Sequence, residues 1–234
     1  MKAGLIDVVT GEFLGDRVRV ATPKGGHPKD IVRVTSEIID SLGADSDTPV
    51  GVAFPSSIHH GITLLAANVS HKWIGFEAEK YFEDKLKRVI TFVNDADAAG
   101  FAEVRYGAAK DQRGLVIMTT LGTGIGSALI YDGVLIPNAE LGHLEIDGYD
   151  AETRASAVVR EKEGMSYEDW AKRLQRYYEH VEMLFSPELF IVGGGVSKSH
   201  EKFLPLLNLR TPIVPATLFN QAGILGAAAL TQHN

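Results

Sequence analysis

The chain has 234 residues, of which 45% are hydrophobic and 23% are charged, a composition typical of a globular protein with one large domain or two modest ones. Its net charge of −7 excludes a general electrostatic surface for nucleic acid or anionic membranes. The absence of cysteine excludes disulfides, thiolate catalysis and cysteine-ligated zinc, and is typical of a cytoplasmic protein. No apolar run approaches the ~20 residues that a membrane helix requires.

In chain order, the first hundred residues predict a meander of short strands, a loop, and then strands that alternate with helices. The meander covers residues 2–22 and the loop covers Pro23–Pro28. The later elements are a helix over Asp30–Leu42 closed by Gly43, a buried strand over Pro49–Phe54, an irregular segment over Ile58–Trp73, a helix over Phe76–Arg88 and a strand over Val89–Val93. Small residues after this last strand indicate a helix packed closely on a sheet.

The stretch from Gly114 to Ile136 is the centre of the sequence pattern. Two β-rich apolar runs, LVIMTT and SALIYDGVLI, flank LGTGIG, which predicts a strand, a glycine-rich turn and a second strand. Its glycines permit positive φ and leave backbone N–H groups open, so the turn suits phosphate oxygens, and Thr123 adds a hydroxyl. A purely structural hairpin turn is the alternative. A dinucleotide-binding loop is disfavoured, because a strand rather than a helix follows.

Polar and helical segments then lead to a second glycine-rich segment, Gly193–Gly195. The elements predicted in order are a polar segment over Asn138–Asp147, a helix over Ala151–Glu163, a helix over Ser166–Phe185 with a capping box, a strand over Leu189–Val192, a helix capped by Ser197 toward Leu207, a strand over Pro212–Pro215 and a helix over Gln221–Leu230. Alternating strands and helices indicate an α/β fold, and the meanders indicate mixed sheets. Two glycine segments at strand ends suggest a ligand held between two lobes.

Three groups of residues carry candidate chemistry, and each has a structural alternative. Asp95 follows a strand and begins a small-residue helix, so it either accepts a proton from a substrate hydroxyl or caps the helix. Glu140 and His143 lie on a polar turn next to the glycine hairpin and are either functional or simply surface residues. Gly193–Gly195 forms either an anion or nucleotide site at a helix start or a tight strand-to-helix turn.

Four motifs in the same order resemble the signatures of one family. They are NDADAA at 94–99, LGTGIG at 121–126, ELGH at 140–143 and VGGG at 192–195. Together they resemble the ROK sugar kinases, and the longer segments AFPSSIHHG, AANVSHKWIG and LFSPELFIVGGGVSK resemble the polyphosphate glucokinase branch. The resemblance covers nearly the whole chain. It implies an α/β, two-lobed actin-like (ribonuclease H-like) fold with mixed sheets, with a smaller lobe of 1–113 plus 220–234 and a larger lobe of 114–219.

The resemblance also implies an activity, which is transfer of a phosphoryl group from inorganic polyphosphate or ATP to the 6-hydroxyl of glucose. It assigns the general base to Asp95. The family pattern assigns sugar binding to four polar residues, Asn94, Glu140, His143 and Glu152. It further assigns binding of the transferred phosphoryl group to Gly122, Thr123 and Gly124. Binding of the nucleotide or polyphosphate is assigned to Gly193, Gly194 and Gly195. Mg²⁺ is expected with the donor. A cytoplasmic homodimer without nucleic acid or membrane partners is expected.

The sequence departs from the family pattern at two places. Typical ROK proteins follow the Gly-His pair with a cysteine-rich zinc site; without cysteine, no zinc is expected and His143 is assigned to the sugar. The family's first strand, with its Asp-x-Gly-Gly phosphate loop, does not precede Met1–Gly4, so this strand is expected to be absent. Two alternatives therefore stay open: a non-catalytic or truncated sugar-binding relative, and an ATP-dependent kinase of another hexose. The sequence leaves the donor preference open.

Overall fold

The computed structural model describes residues 1–66 and 69–232, so Ala67 and Asn68 of the AANVSHKWIG segment lie outside the described residues. Its α-helices are α1 Pro28–Leu42, α2 Ala78–Leu86, α3 Asp95–Tyr106, α4 Glu152–Ala155, α5 Ala157–Lys162, α6 Tyr167–Phe185 and α7 Ala222–Leu230. Its longer strands are β5 Val50–Phe54, β9 Ile90–Asn94, β10 Leu115–Leu121, β11 Ile125–Tyr131, β12 Val134–Ile136, β15 Leu189–Gly193 and β16 Ile213–Pro215. The two-residue strands are β1 Lys2–Ala3, β2 Ile6–Asp7, β3 Glu12–Phe13, β4 Val18–Arg19, β6 Ile58–His59, β7 Ile62–Thr63, β8 Phe76–Glu77, β13 Glu145–Ile146 and β14 Tyr149–Asp150.

The chain divides into two compact units. One comprises Met1–Ala99 and Gln221–Asn234, and the other comprises Gly100–Asn220. Each unit has its own apolar core of buried side chains. The lobe boundaries expected from the family resemblance stay a prediction. None of the helices in the described residues combines the length and the apolar character needed to cross a membrane.

The first unit is built around two parallel strands, β5 and β9, whose register ends with Phe54 opposite Asn94. Helix α7 packs on both strands. Trp73 is fully buried beside them, and its ring contacts Phe54, Phe82 and Phe92. Aromatic side chains of this size bury a large apolar area and hold their neighbours in place. The packing therefore holds the carboxyl end of β9, where α3 begins.

The second unit contains a five-stranded mixed sheet in the order β12-β11-β10-β15-β16. Strand β10 is antiparallel to β11, with Leu121 opposite Ile125, and parallel to β15, with Thr120 opposite Gly193. Parallel neighbours end at the same edge of a sheet. The two glycine segments, which are about 70 residues apart in sequence, consequently leave this sheet side by side.

Helix α6 covers one face of this sheet. Its buried residues Trp170, Tyr177 and Tyr178 belong to the same core as the strand residues. The Tyr178 hydroxyl and Thr119 Oγ1 are 2.6 Å apart, so the sheet and the helix are joined by a buried hydrogen bond as well as by packing. Ser166 is confirmed as the N-cap of α6, because its hydroxyl accepts a hydrogen bond from the Asp169 N–H. The Asp169 carboxylate contacts the Ser166 hydroxyl, whereas a capping box would join it to the Ser166 N–H.

Several predicted elements are confirmed with small shifts in their ends. Helix α1 begins at Pro28 rather than Asp30, because proline is well suited to the first helical turn. It ends at Gly43, which adopts the left-handed conformation with φ 64°. Strand β5 begins at Val50, one residue after the predicted start at Pro49, and its first four residues are half-buried rather than buried. The predicted helix over Phe76–Arg88 begins with strand β8.

Three predictions about secondary structure are wrong. The run SALIYDGVLI forms two strands, β11 and β12, because Asp132 and Gly133 have φ of 47° and 81° and make a tight hairpin turn. The helix predicted over Ala151–Glu163 is two short helices, α4 and α5, separated by Ser156 in an extended conformation. The segment predicted as irregular over Ile58–Trp73 contains the β6–β7 hairpin.

Candidate active site

Asn94 and Asp95 lie at the junction of β9 and α3, and the structure separates their roles. Asn94 is buried, and its Oδ1 accepts hydrogen bonds from the N–H groups of Ala96 at 2.8 Å and Asp97 at 3.1 Å. Its Nδ2 donates to the carbonyl of Ser56 at 3.1 Å. Asn94 is therefore the cap of α3. Asp95 is exposed at the first position of the helix, so the helix-cap alternative that the sequence left open for Asp95 is wrong.

The first glycine turn does not use the backbone freedom of its glycines. Neither Gly122 nor Gly124 has positive φ, contrary to the use that the sequence suggested for them. Gly124 is needed for a close approach instead, because a Cβ there would collide with the carboxylate of Glu152. The Gly122 N–H donates to the carbonyl of Gly124 at 3.0 Å, which closes the turn on itself. This N–H group is consequently occupied within the protein.

Two backbone N–H groups of the turn, those of Thr123 and Gly124, have no acceptor within residues 1–66 and 69–232. Their neighbours are occupied: the Ile125 N–H donates to Glu152 Oε2 at 3.0 Å, and the Val158 N–H at the start of α5 donates to the carbonyl of Gly122 at 3.1 Å. Adjacent unpaired N–H groups on a tight turn suit an anion. The donors that this turn could offer to an anion are thus these two N–H groups and the Thr123 hydroxyl.

Glu140 and His143 are held against this turn by the backbone around them. The Ser127 hydroxyl of β11 accepts from the Leu141 N–H at 2.9 Å. A Cβ at Gly142 would collide with the carbonyl of Ile125, so only glycine permits this contact. Glu140 precedes a 3₁₀ turn over Leu141–His143, and its side chain is partly exposed. Glu140, His143 and Glu152 are therefore brought together around one turn, and their assignment to the sugar stays a prediction.

His143, Asp150 and Glu152 form a compact polar cluster. His143 Nδ1 lies 2.8 Å from Asp150 Oδ2, and Asp150 Oδ1 accepts from the Glu152 N–H at 3.2 Å. The hydrogen bond to Asp150 raises the pKa of His143, and the charges of Glu152 and Glu140 add to the effect. The three potential ligand atoms lie within 4.8 Å of one another, a spacing that also suits a cation. Because His143 Nδ1 donates a hydrogen bond to Asp150, these two side chains have hydrogen-bond partners in the absence of a cation.

The second glycine segment meets the first beside a cavity of about 280 Å³. Gly194 has φ 84°, and a Cβ there would collide with the backbone of Leu121 at the end of β10. The expected helix after it is a 3₁₀ segment over Gly195–Lys202 with a kink at Ser199. Ser197 does not accept an N–H as a cap; its hydroxyl donates to the carbonyl of Gly194. The regular, Ser197-capped helix predicted at this position is therefore not formed, and the anion site stays a prediction.

The cavity is also lined by Arg160 and Tyr167, which were not among the site residues predicted from the sequence. Its lining comprises Leu121, Gly122, Ala157, Val158, Arg160, Glu161, Tyr167, Gly195, Val196 and Ser199. The Arg160 guanidinium lies 4.4 Å from the centre of the Tyr167 ring. No local motif distinguishes Arg160 from the other charged residues of its helix. The only signal was the aromatic pair Tyr167 and Trp170, which offers a stacking surface.

The predicted site residues are distributed over both units. Asn94 and Asp95 belong to the first unit, and the sugar and phosphate residues from Gly122 to Gly195 belong to the second. The arrangement in the second unit offers anion-binding N–H groups next to hydroxyl-binding carboxylates and a histidine. The first unit offers an exposed carboxylate at a strand end.

Comparison with known proteins gives a consistent result. The family model described as "ROK family" matches residues 6–163. The chain is 46% identical to the polyphosphate glucokinase of Mycobacterium tuberculosis, over 97% of this chain and 86% of that protein. It is 52% identical to the inorganic polyphosphate/ATP-glucomannokinase from Arthrobacter sp. strain KM, whose crystal structure it matches with a TM-score of 0.90 over 99% of this chain and 94% of that one.

A more distant structure shares the fold. A ROK family glucokinase from Streptomyces griseus, solved with glucose and AMPPNP, matches with a TM-score of 0.80 at 22% identity, over 99% of this chain and 95% of that one. The predicted α/β, actin-like (ribonuclease H-like) kinase fold with mixed sheets is therefore confirmed. With the family model covering more than half of the residues and a relative at 46% identity covering nearly all of them, the chain belongs to the ROK family.

Proposed function

We propose that the protein transfers a phosphoryl group from inorganic polyphosphate or ATP to the 6-hydroxyl of glucose, giving glucose 6-phosphate. The observation that carries the proposal is the parallel pairing of β10 and β15. Through this pairing both glycine segments border one cavity, and the first of them also contacts Glu152 and the turn that carries Glu140 and His143. Relatives with 46% and 52% identity are named as a polyphosphate glucokinase and a polyphosphate/ATP-glucomannokinase, which supports both the acceptor and the donors.

Sugar binding is assigned to Glu140, His143, Glu152 and Asn94. Carboxylates accept hydrogen bonds from sugar hydroxyls, and a histidine whose Nδ1 is held by Asp150 presents its Nε2 in a defined orientation. Asn94 has already used its Oδ1 for capping and one Nδ2 hydrogen for Ser56, so a single amide hydrogen is left for the sugar. Its contribution to the sugar is therefore smaller than that of the two glutamates.

Asp95 is the proposed general base. The 6-hydroxyl oxygen attacks the terminal phosphorus of the donor, the bond from that phosphorus to its bridging oxygen breaks, and the hydroxyl proton passes to the Asp95 carboxylate. Asp95 is at the first position of α3, where the helix dipole favours the ionised carboxylate that a base requires. Asn94 supplies the capping hydrogen bonds of α3, and the Asp95 side chain is exposed beside it, which is compatible with a role in chemistry.

The donor is bound by backbone groups of both glycine segments. The N–H groups of Thr123 and Gly124 and the Thr123 hydroxyl hold the transferred phosphoryl group, while Gly193, Gly194 and Gly195 line the path of the remaining donor. Preorganised donors of this kind stabilise the charge that develops during transfer. Phosphoryl transfer depends mostly on such positioning and on neutralisation of charge.

Mg²⁺ is part of the proposal and would supply charge neutralisation on the donor phosphates. The available ligands fit this ion, because Mg²⁺ prefers the oxygens of phosphates and water together with one or two carboxylates. Glu161 is the carboxylate on the cavity lining, and its side chain is largely exposed. It is the residue of this chain that would contact the ion. Zinc is not part of the proposal.

The cellular setting is also proposed rather than observed. A chain without cysteine suits the reducing cytoplasm, and a net charge of −7 disfavours nucleic acid and anionic membranes as partners. The protein is proposed to act as a cytoplasmic homodimer. Size-exclusion chromatography with light scattering measures the oligomeric state.

A coupled assay for glucose 6-phosphate tests the function. The unaltered chain is supplied with glucose and either long-chain polyphosphate or ATP, and mannose replaces glucose in a parallel series. Product with glucose and either donor is the expected result. Turnover with ATP alone, or with a hexose other than glucose, would indicate a kinase of different specificity. Glucose binding by calorimetry without product from either donor would indicate a sugar-binding relative that is not a kinase.

A further inference from the structure

We propose that Arg160 and Lys202, two cations that converge on the ring of Tyr167, form a subsite for the distal phosphates of a condensed phosphate chain. The inference rests on the proposed function, since it names the donor class that this subsite serves. It concerns the second unit alone. None of the glycine residues assigned to the donor supplies the positive charge that such a chain requires.

The position of Arg160 links it to the site of transfer. Arg160 lies on α5, whose Val158 N–H donates to the carbonyl of Gly122 at 3.1 Å. Both Gly122 and Arg160 line the cavity, and Gly195 lines its other side. A linear donor whose terminal group lies at the first glycine turn would therefore continue past Arg160.

The hydrogen bonding of Arg160 leaves donors available. Its Nε is buried and has no hydrogen-bond partner among the described residues. Its Nη1 lies 3.5 Å from the carbonyl of Met165, at the limit of a hydrogen bond, and its Nη2 lies 3.8 Å from a largely exposed carboxylate oxygen of Glu161. The two Nη groups, which have only these long contacts, are therefore the donors that a ligand could use. Guanidinium groups pair well with phosphate oxygens.

Lys202 adds a second cation on the same aromatic ring. Its Nζ lies 5.4 Å from the centre of the Tyr167 ring, where Arg160 Cζ lies at 4.4 Å. The Tyr167 ring also stacks on Phe203 with an angle of 8° between the planes, so the ring is a fixed platform. An anion bound beside this ring would interact with both positive charges. The additional phosphates of a condensed phosphate chain supply such negative charge, whereas an adenosine group is neutral.

Calorimetric binding of long-chain polyphosphate, measured without glucose, tests the subsite directly. Loss of a charge-assisted hydrogen bond in Arg160→Gln is expected to raise the dissociation constant roughly 10- to 100-fold, with partial recovery in Arg160→Lys. Lys202 is exposed, so Lys202→Gln is expected to raise it about two- to fivefold. Because Arg160 also stacks on Tyr167 and Trp170, Lys202→Gln serves as the variant least able to disturb folding.

Lys85→Gln is the matched control, because Lys85 is an exposed lysine 5.8 Å from the ring of Tyr81 and does not line the cavity. In the coupled assay, kcat/KM for polyphosphate relative to that for ATP should fall in both subsite variants and stay constant in the control. Unchanged polyphosphate affinity in Lys202→Gln and in a folded Arg160→Gln would overturn the inference. Equal losses with both donors would also contradict it. If the unaltered protein binds polyphosphate but makes no product, the proposed function fails while the subsite stands.

Discussion

At the scale of single residues, the neighbours Asn94 and Asp95 differ in their roles. Asn94 caps α3 with two hydrogen bonds, and Asp95 is exposed at the first helical position. Asp95→Asn should therefore leave folding and glucose affinity nearly unchanged. Turnover should fall by roughly 10²-fold or more, which is the contribution of a general base. Steady-state kcat and calorimetric glucose affinity measure the two effects separately.

Asp30→Asn provides the control for this substitution, since Asp30 also lies in the first turn of a helix of the first unit. Its kcat should match that of the unaltered protein. Near-full activity of Asp95→Asn, with glucose binding intact, would show that Asp95 is not the base.

The hydrogen bond between His143 and Asp150 has a predictable pH dependence. The pKa of His143 is raised above its ordinary value of 6.5, chiefly by this hydrogen bond. A group whose pKa is raised on folding contributes stability that is fully present below its unfolded pKa and is lost as the pH rises through the folded value. Asp150→Asn should therefore lower the pKa of His143, and it should destabilise the protein more at pH 6 than at pH 8.

An NMR titration of the His143 ring measures the pKa, and urea unfolding at several pH values measures the stability. Glucose affinity should fall as well, because an amide whose oxygen accepts the Glu152 N–H presents its NH₂ to His143 Nδ1 and no longer holds the ring in this orientation. A His143 pKa that stays the same in Asp150→Asn would mean that the surrounding glutamates, rather than Asp150, set it.

At the scale of elements, the junction of β10 with the end of β15 depends on one glycine. Gly194 has φ 84°, and a Cβ there would collide with Leu121. Gly194→Ala should lower the free energy of unfolding by about 3 kcal/mol, since it combines a backbone conformation specific to glycine with a steric clash. It should also weaken donor binding. Thermal and urea unfolding, with calorimetric titration of polyphosphate, are the measurements.

Gly195→Ala is the matched control, because its Cβ would meet no atom within 4 Å and its φ is not positive. It should be tolerated with a change in the free energy of unfolding below about 1 kcal/mol. Equal stability of the two variants would show that the contact between Gly194 and β10 is unimportant.

Element boundaries show where sequence patterns stop being informative. Apolar patterns correctly predict β10, α1 and α6. Strand β10 is a continuous apolar run buried on both faces, and the apolar residues of each helix repeat along a single face. The same patterns overlook the turn at Asp132–Gly133, since the apolar residues continue across it. The Asp-Gly pair was the local signal, and it outweighs the hydrophobic run around it. At Ser156, the break between α4 and α5 has no comparable signal.

At the scale of the whole molecule, each unit carries one of the two tryptophans in its core. Trp73 belongs to the first unit and Trp170 to the second, and both are fully buried. Helix α3 begins in the first unit and ends in the second. Because a helix is cooperative along its length, we expect the two units to unfold in one transition. Trp73→Phe and Trp170→Phe should therefore show fluorescence midpoints in urea that coincide.

Circular dichroism of the same samples controls for loss of stability caused by each substitution. Two separated fluorescence midpoints, corrected for those losses, would show that the units unfold independently and that α3 does not couple them.

The site could be predicted from the sequence only where its residues lie in recognisable motifs. Glu140, His143 and Glu152 come together as expected, because the ELGH turn and α4 both contact the first glycine turn. Arg160 lacked any local motif, and its position depends on packing against Tyr167, which is a tertiary effect. The assignment of roles to individual site residues stays a prediction.

The pairing of the amides at the first glycine turn has a consequence for hydrogen–deuterium exchange. The Gly122 N–H is bonded to the Gly124 carbonyl, whereas the N–H groups of Thr123 and Gly124 have no acceptor among the described residues. Exchange is slowed by hydrogen bonding, so the free protein should exchange Thr123 and Gly124 rapidly and Gly122 slowly. Bound polyphosphate should slow exchange of the Thr123 and Gly124 amides and leave the exchange rate of the Gly122 amide unchanged. This turn would thus report occupancy of the donor site in the absence of any chemical step.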